Sequence, residues 1–446
     1  MSKLPSRIHI VHVGTMNNMG TQALLESDVS ALREIAGNDV LLSVSTTDEA
    51  GVKKLSLGLD AVVPNLVDIP FRKADDLAIR LKISRSSSKY KALTFLLTIY
   101  MLFQVELSIL SAILVKMRLK PLYRSKVFDR ICNCNLVISC SDENFREVPS
   151  LISSQIYWVF VWWSILFERT FEISVARYFK KPTVMFPNSV GPFKTFVGRF
   201  LSRLSLNNCN RILIRDSISY ELVKSLDIKA PRILTSDSVL LFSPDFPSKL
   251  KNNEKSNNRP VIGVSAGIYN HTVTTTEIRK YIKEHALALD IAIEELGAEV
   301  IFLPHYITGF RYDDLEISNL ILQSMKHKNG VRIIQVDNAR EFKSILGQMS
   351  IIVSSKMHPA VIGISMFTPT LCIAYDHKQM GFFEDIGMSQ FLVRFDEISH
   401  EVIFSKINSL WEERGKLHEE LEIKVTALQE SLRISLRKAI CIYIQE

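Results

Sequence analysis

Twice along this chain an apolar strand runs into a turn of small residues, then a helix-period segment, then another strand. That repeat constrains the fold more than any other feature. Arg7–Gly14 (RIHIVHVG) is a buried strand, Met16–Gly20 a turn, Thr21–Ile35 (TQALLESDVSALREI) an amphipathic helix and Asp39–Ser45 (DVLLSVS) a second strand. A strand returning through a helix to another strand pairs in parallel, so this order predicts a doubly wound sheet. The alternation continues through the strands Asn135–Ser139, Thr183–Pro187 and Arg211–Arg215. Lys249–Pro260 (KLKNNEKSNNRP) is polar, lacks apolar anchors and reads as a linker. Beyond it the pattern restarts, with strands Val261–Ser265, Glu299–Pro304, Val331–Gln335, Ile351–Ser354 and Thr370–Tyr375. Glu401–Ile442 is a long amphipathic tail. The expected fold class is α/β: two αβα, Rossmann-like domains facing a cleft, with a C-terminal helix. The expected divisions are 1–248 for the first domain, with an apolar helical insertion near 77–130, then a 249–260 linker, 261–398 for the second domain and 399–446 for the helix.

Composition narrows the function classes. The 446 residues carry a net charge of +7, a mild surplus that does not argue for nucleic acid, and no recognition motif for one is present. The six cysteines form no C-x-x-C pair, which argues against a disulfide scaffold or a zinc ribbon. The start shows no charged, apolar and small-residue regions in secretory order, so a reducing cytoplasmic setting is expected. Two apolar stretches, Ala92–Met117 and Leu151–Phe167, leave three readings open: buried core, a helix lying in the lipid headgroup plane, or a span. Gln104 and Glu106 interrupt the first, and basic residues flank it on both sides, which suits an interfacial helix on the inner face of a membrane.

Polar residues gather where strands meet helices. The loop with Asn18, Gly20 and Thr21 offers backbone N–H groups and a positive helix end for a phosphate or carboxylate; a plain turn with Thr21 as helix cap is the alternative. Ser139–Asn144, with Ser141 and Asn144, faces a sugar or caps a helix. In the second half, Ser265 and Gly267, then His305, follow strands, and Ser354–Pro359 sets Lys356 and His358 two residues apart between a strand and a helix. A cation and an imidazole at a helix start in the expected cleft form the densest candidate site. No histidine or carboxylate cluster has metal spacing, so no metal is expected.

The ordered set of motifs resembles the polysaccharide pyruvyl transferase family. It comprises Asn18-x-Gly20-Thr21-x-Ala23-Leu24, Asn144-Phe145, Asn188-Ser-Val-Gly-Pro-Phe193, Ile214-Arg215-Asp216-Ser217, Ser236-Asp237-Ser238, Ser355-Lys356-Met357-His358-Pro359 and Tyr375-Asp-His-Lys378-x-x-Gly381. Thr21 stands where that family usually has Asp, and Lys356 where it usually has Arg; lysine keeps the charge and loses the bidentate fork. The resemblance implies a GT-B-like pair of domains, the second binding the donor. It implies phosphoenolpyruvate as donor, no cofactor, and a glycan or lipid-linked glycan as acceptor, joined to pyruvate as a ketal. His358 is then the general acid and Lys356, with Arg215, grips the donor's anionic groups, while Asn18, Gly20, Thr21, Ser141, Asn144, Asp237, Ser265, Gly267, His305, Tyr375 and Lys378 line the substrates. A nucleotide-sugar glycosyltransferase on the same fold, or a non-catalytic membrane-peripheral assembly factor, are the competing readings.

Overall fold

The computed structural model describes residues 6–84, 87–147, 156–243, 259–268, 273–309 and 311–444, with 156–160 as backbone alone. In the first half, β1 (Arg7–Val13) leads through α1 (Met19–Ala36) to β2 (Leu41–Thr46), and α2 (Glu49–Lys54) to β3 (Ala61–Pro64). Three helices follow before the next strand: α3 (Pro70–Leu81), α4 (Ser88–Lys116) and α5 (Ser125–Asn133). Then come β4 (Leu136–Ser139), β5 (Asp142–Phe145), α6 (Ile156–Tyr178), β6 (Thr183–Val190), α7 (Phe196–Asn208), β7 (Arg211–Ile214), α8 (Ser217–Ser225) and β8 (Arg232–Leu234). The second half runs β9 (Val261–Ser265), α9 (Thr275–Leu296), β10 (Glu299–Phe302), α10 (Asp314–Ser324), β11 (Val331–Ile333) and α11 (Ala339–Leu346). It finishes with β12 (Ile351–Ser354), α12 (Met357–Ile364), β13 (Thr370–Ala374), α13 (His377–Asp385), β14 (Leu392–Arg394), α14 (His400–Glu412) and α15 (Arg414–Ile444).

Two separate parallel sheets result. The first has the order β3-β2-β1-β4-β6-β7-β8, with β5 beside β6; the second has β11-β10-β9-β12-β13-β14. Each reverses direction once, beside its first strand, and a crevice opens at that point past the carboxyl ends of the strands. In the first sheet it lies between β1 and β4, in the second between β9 and β12. The fold is therefore two αβα domains of the GT-B type with a helical C-terminus. Of the expected 249–260 linker, 249–258 lie outside the described residues.

Alternation along the strands fills both faces of the first sheet. Ile8 and Ile10 pack under α1 with Leu25, Val29 and Leu32, while Val11 faces the other way with Phe128, Ile131 and Val175. The C-terminal tail is two helices, broken at Glu413. The longer, α15, places Leu417, Leu421 and Val425 in the second core and Leu432, Leu436, Ala439 and Ile440 in the first.

The wholly buried reading of Ala92–Met117 does not hold. Tyr90, Thr94, Met101, Gln104, Val105, Ser108, Ser111 and Ala112 of α4 face the protein, but Phe95, Leu102 and Phe103 are more than half exposed. Of Leu151–Phe167, the described part is packed at Val161, Ser164 and Leu166; the side chains of 151–160 lie outside the description.

Candidate functional site

The two crevices face one another across a cavity of about 800 Å³. The loop after β1 closes one wall. Here α1 begins at Met19, earlier than the amphipathic pattern, and its cap is Asn18 rather than Thr21. The Asn18 carboxamide oxygen accepts from the amides of Gly20 at 2.9 Å and Thr21 at 3.4 Å. The Met19 amide donates to the His305 carbonyl at 3.3 Å and the Gly20 amide to His305 Nε2 at 2.9 Å. The first amides of α1 are thus already engaged, partly by the other domain. The expectation that they are free for a substrate phosphate is corrected.

The opposite wall is the loop after β12. Lys356 caps α12 without a bond from its own side chain, while the Ser354 hydroxyl accepts from the Lys356 amide at 3.1 Å. Its ammonium lies 3.3 Å from Asp314 Oδ1 and 3.2 Å from the Ile268 carbonyl. Gly267 makes room for it: a Cβ there would come within 2.2 Å of Lys356 Cε. Beside it the His358 ring stands 6.1 Å, centroid to centroid, from that of His305 and lies against Gly20, whose Cβ would fall 2.2 Å from His358 Nδ1. Nε2 of His358 is buried and has no hydrogen-bond partner. Burial, reinforced by Arg215, His305 and Lys378, holds the His358 imidazole well below its usual range, so the unliganded ring is neutral. Burial, then Lys356 and Lys378, drives His305 down to about 3.

The cavity wall includes Asn18, Thr21, Asn144, His305, Lys356, His358, Tyr375 and Lys378. Lys378 pairs with Glu143 across the cleft, and Glu143 also pairs with Arg146, which bonds Asp376 at 2.8 Å. Burial pushes Glu143 up, but Arg146 and Lys378 prevail and hold it at about 2. Tyr375 is tied by its amide to Gln379.

Six expected residues do not line the cavity. Gly20 and Gly267 act by leaving space. Ser141 turns inward, donating its amide and hydroxyl to Asp28 and meeting Ser238 Oγ at 2.7 Å. Ser265 is fully buried in β9. Arg215 sits behind the wall, with Nη1 on Asp237 at 2.9 Å and Nε on Ser189 at 2.8 Å, while Nη2 has no partner. Asp237 therefore orients Arg215 and caps the turn at Val239 rather than facing substrate.

Sequence reasoning missed the cations on the remaining wall: Arg72 and Lys73 of α3, Arg124, Arg146, and Arg169 of α6. Arg169 is buried, and its Nε and Nη1 have no hydrogen-bond partner. Its signal was legible, because Glu168, Arg169 and Glu172 interrupt an otherwise apolar helix, and buried charges require partners. Behind them His12, at φ 69°, bends the end of β1 and bonds Ser139 and the Arg169 carbonyl. Away from the cleft, Glu284, His400 and Glu401 form a partly exposed group of metal-ligand type, with both His400 nitrogens already paired to the two carboxylates.

Comparison with known proteins bears on the family and the fold. The profile of the polysaccharide pyruvyl transferase family matches residues 49–377. The amylovoran biosynthesis protein AmsJ of Erwinia amylovora is 22% identical over 278 residues, 59% of this chain, and the match spans 65% of the length of that relative. Among solved structures, Anabaena HepE in complex with UDP superposes with a TM-score of 0.56 at 11% identity, covering 98% of each chain. A UDP-N-acetylglucosamine 2-epimerase from Listeria monocytogenes gives 0.54 at 9% identity, over 94% of this chain and 91% of its own. At such identities the structural likeness speaks for the fold alone.

Proposed function

Because the chain belongs to the polysaccharide pyruvyl transferase family, we propose that it transfers the pyruvyl unit of phosphoenolpyruvate to two hydroxyls of one sugar, on a cell-surface polysaccharide or its lipid-linked precursor. The observation that carries this reading is that Lys356 and His358 stand together at the mouth of the second crevice, on the wall of the cavity between the domains. The donor bears a carboxylate and a phosphate, and in this reading Lys356 holds one of them beside the start of α12. Arg215, with its unpartnered Nη2, adds positive potential from behind.

His358 protonates the methylene carbon of the donor, which becomes a methyl group and leaves C2 an oxocarbenium-like electrophile. One sugar hydroxyl attacks C2, and its proton returns to the imidazole. The C2–O bond to phosphate breaks, and the second hydroxyl closes the ketal ring, its proton leaving with phosphate. One donor and one diol yield one ketal and one inorganic phosphate. Both proton transfers to and from the imidazole use His358 on the cavity wall, and no cofactor is assigned a part.

Incubation of the protein with phosphoenolpyruvate and lipid-linked glycans from its own cells tests the reading. Phosphate release that depends on acceptor, with the glycan gaining the mass of pyruvate less one water, is expected. Transfer from a nucleotide sugar, with no such release, would overturn it.

A further inference from the structure

Helix α4 presents two contrasting faces. One is fastened to the protein by polar bonds: Tyr90 Oη to Asp75 at 2.6 Å, Gln104 to the Asp68 amide at 2.8 Å and carboxylate at 2.7 Å, and Ser111 Oγ to the Tyr123 amide at 2.9 Å. The other is greasy. Phe95, Leu96, Ile99, Leu102, Phe103 and Ile113 recur at helical spacing and are each 45–66% exposed. Ile79 and Leu81 of α3, and Leu119 and Leu122 beyond α4, extend this surface. By length and composition α4 could cross a bilayer, yet only 28% of its apolar window is buried. Single exposed apolar residues need no explanation, but a continuous face of this size does.

Charge identifies what covers it. Arg80, Lys82, Lys89 and Lys91 are exposed near one end of the helix, and Lys116, Arg118 and Lys120 at the other. Twenty-nine residues span roughly 43 Å at 1.5 Å each, so both basic ends meet the same plane only if the helix lies flat. We propose that the α3–α4 face docks on the surface of an anionic lipid bilayer, with the apolar side chains among the acyl-chain ends of the headgroups and the basic ends on lipid phosphates. A span is disfavoured, because surrounding α4 with lipid would break its bonds to Asp68, Asp75 and Tyr123. Glu106, exposed on the outer face, restricts immersion to the headgroup zone. A second copy of the chain would bring the two basic rims against each other.

The docked face is continuous with the cleft, because Ile79 belongs to both and Trp162 and Ile165 of α6 line the same cavity. A sugar carried on a membrane lipid would thus enter along α3; this second step rests on the pyruvyl transfer reading, whereas the docking does not.

Flotation of the full chain with vesicles tests the docking. Binding to vesicles of phosphatidylglycerol mixed with phosphatidylcholine is expected, with little binding to phosphatidylcholine alone. Lys116→Glu with Lys120→Glu should reduce partitioning by roughly tenfold or more, since each basic residue near an anionic surface contributes on the order of fivefold. Leu102→Asp with Phe103→Asp should abolish it while leaving circular dichroism and melting unchanged, since both side chains are exposed. The proposal is overturned if the wild type does not float, if the Asp pair floats as well as wild type, or if membranes release the protein only to detergent. It is equally overturned if the wild type is a dimer that the Asp pair dissociates. Flotation without pyruvyl transfer would sink the reaction and leave the docking intact, and the reverse result would do the opposite.

Discussion

His358 has to donate a proton, yet burial and neighbouring cations keep its unliganded ring neutral. An anionic donor reverses that balance, since negative charge beside the imidazole favours its protonated form. Donor binding should therefore take up a proton, and donor affinity should rise as pH falls through the neutral range. Titration calorimetry in buffers of different ionisation enthalpy checks this; a heat independent of buffer would mean the ring stays neutral. His358→Ala should lower turnover by roughly 10²–10⁴-fold. Lys356→Ala should chiefly raise the donor KM, and Lys356→Arg should be tolerated because it restores the fork. Gly20→Ala is the sharper test. Alanine is the better helix former, but its methyl would overlap the His358 ring. Turnover should fall nearly as far as in His358→Ala, with about 1–3 kcal/mol lost to overpacking; near-normal turnover would show that the position of the ring is irrelevant. Lys356 and His358 were legible because they stand directly after a buried strand. Asn18 as cap is not legible, because the amphipathic pattern starts two residues late; Arg169 as wall cation is legible only as a charge within an apolar helix, without its place on the cleft.

Among the elements, α4 depends on Gln104 as a polar anchor in an apolar helix. Gln104→Leu would leave the Asp68 amide without its acceptor, while the carboxylate keeps Lys73 and Arg124, and should cost about 1–3 kcal/mol, read by chemical denaturation. A neutral or stabilising result would mean that apolar packing alone seats the helix. The central strands were legible as continuous apolar runs, and their restart at Val261 marked the second sheet. The edge strands β3, β8, β11 and β14 are three or four residues long. That is too short for alternation to register, so the sequence carries no sign of β3, β8 and β14 and predicts β11 two residues longer than it is. The tail read as one helix because the break at Glu413 interrupts no apolar stripe.

At the scale of the molecule, buried histidines set the acid limit. His9 and His305 are held at about 3 and His285 at about 4, in each case first by burial, against 6.5 for an unperturbed ring. The unfolded chain binds more protons below 6.5, so stability falls as pH drops through that window. Buried acids oppose this, most strongly Glu172, which burial raises to about 8, and Asp28, raised to about 6. Above 6.5 Glu172 lowers stability as pH rises to about 8, while Lys343, which burial holds at about 7 against 10.5, raises it from about 7 upward. With three ring shifts of this size, the melting temperature should drop as pH falls from 6.5 toward 4; a steady rise from neutrality into acid would contradict the assignment. The halves are also joined directly, by Arg340 to Glu26 at 2.6 Å, by the Ala339 amide to Gln22 at 2.9 Å and by α15. Ala427→Pro, between the two apolar stretches of α15, should cost about 3 kcal/mol and split a single unfolding transition into two; one unchanged transition would show that the helix does not couple the halves. That helix also has a consequence for biogenesis. Leu432, Leu436 and Ile440 complete the core around β1 and β2, so the first-made strands wait for nearly the last residues to leave the ribosome. At about 5–20 residues per second that wait from β8 onward is on the order of tens of seconds. During it the underside of α1 is open to chaperones, and nascent chains stalled short of α15 should remain protease-sensitive in their first half.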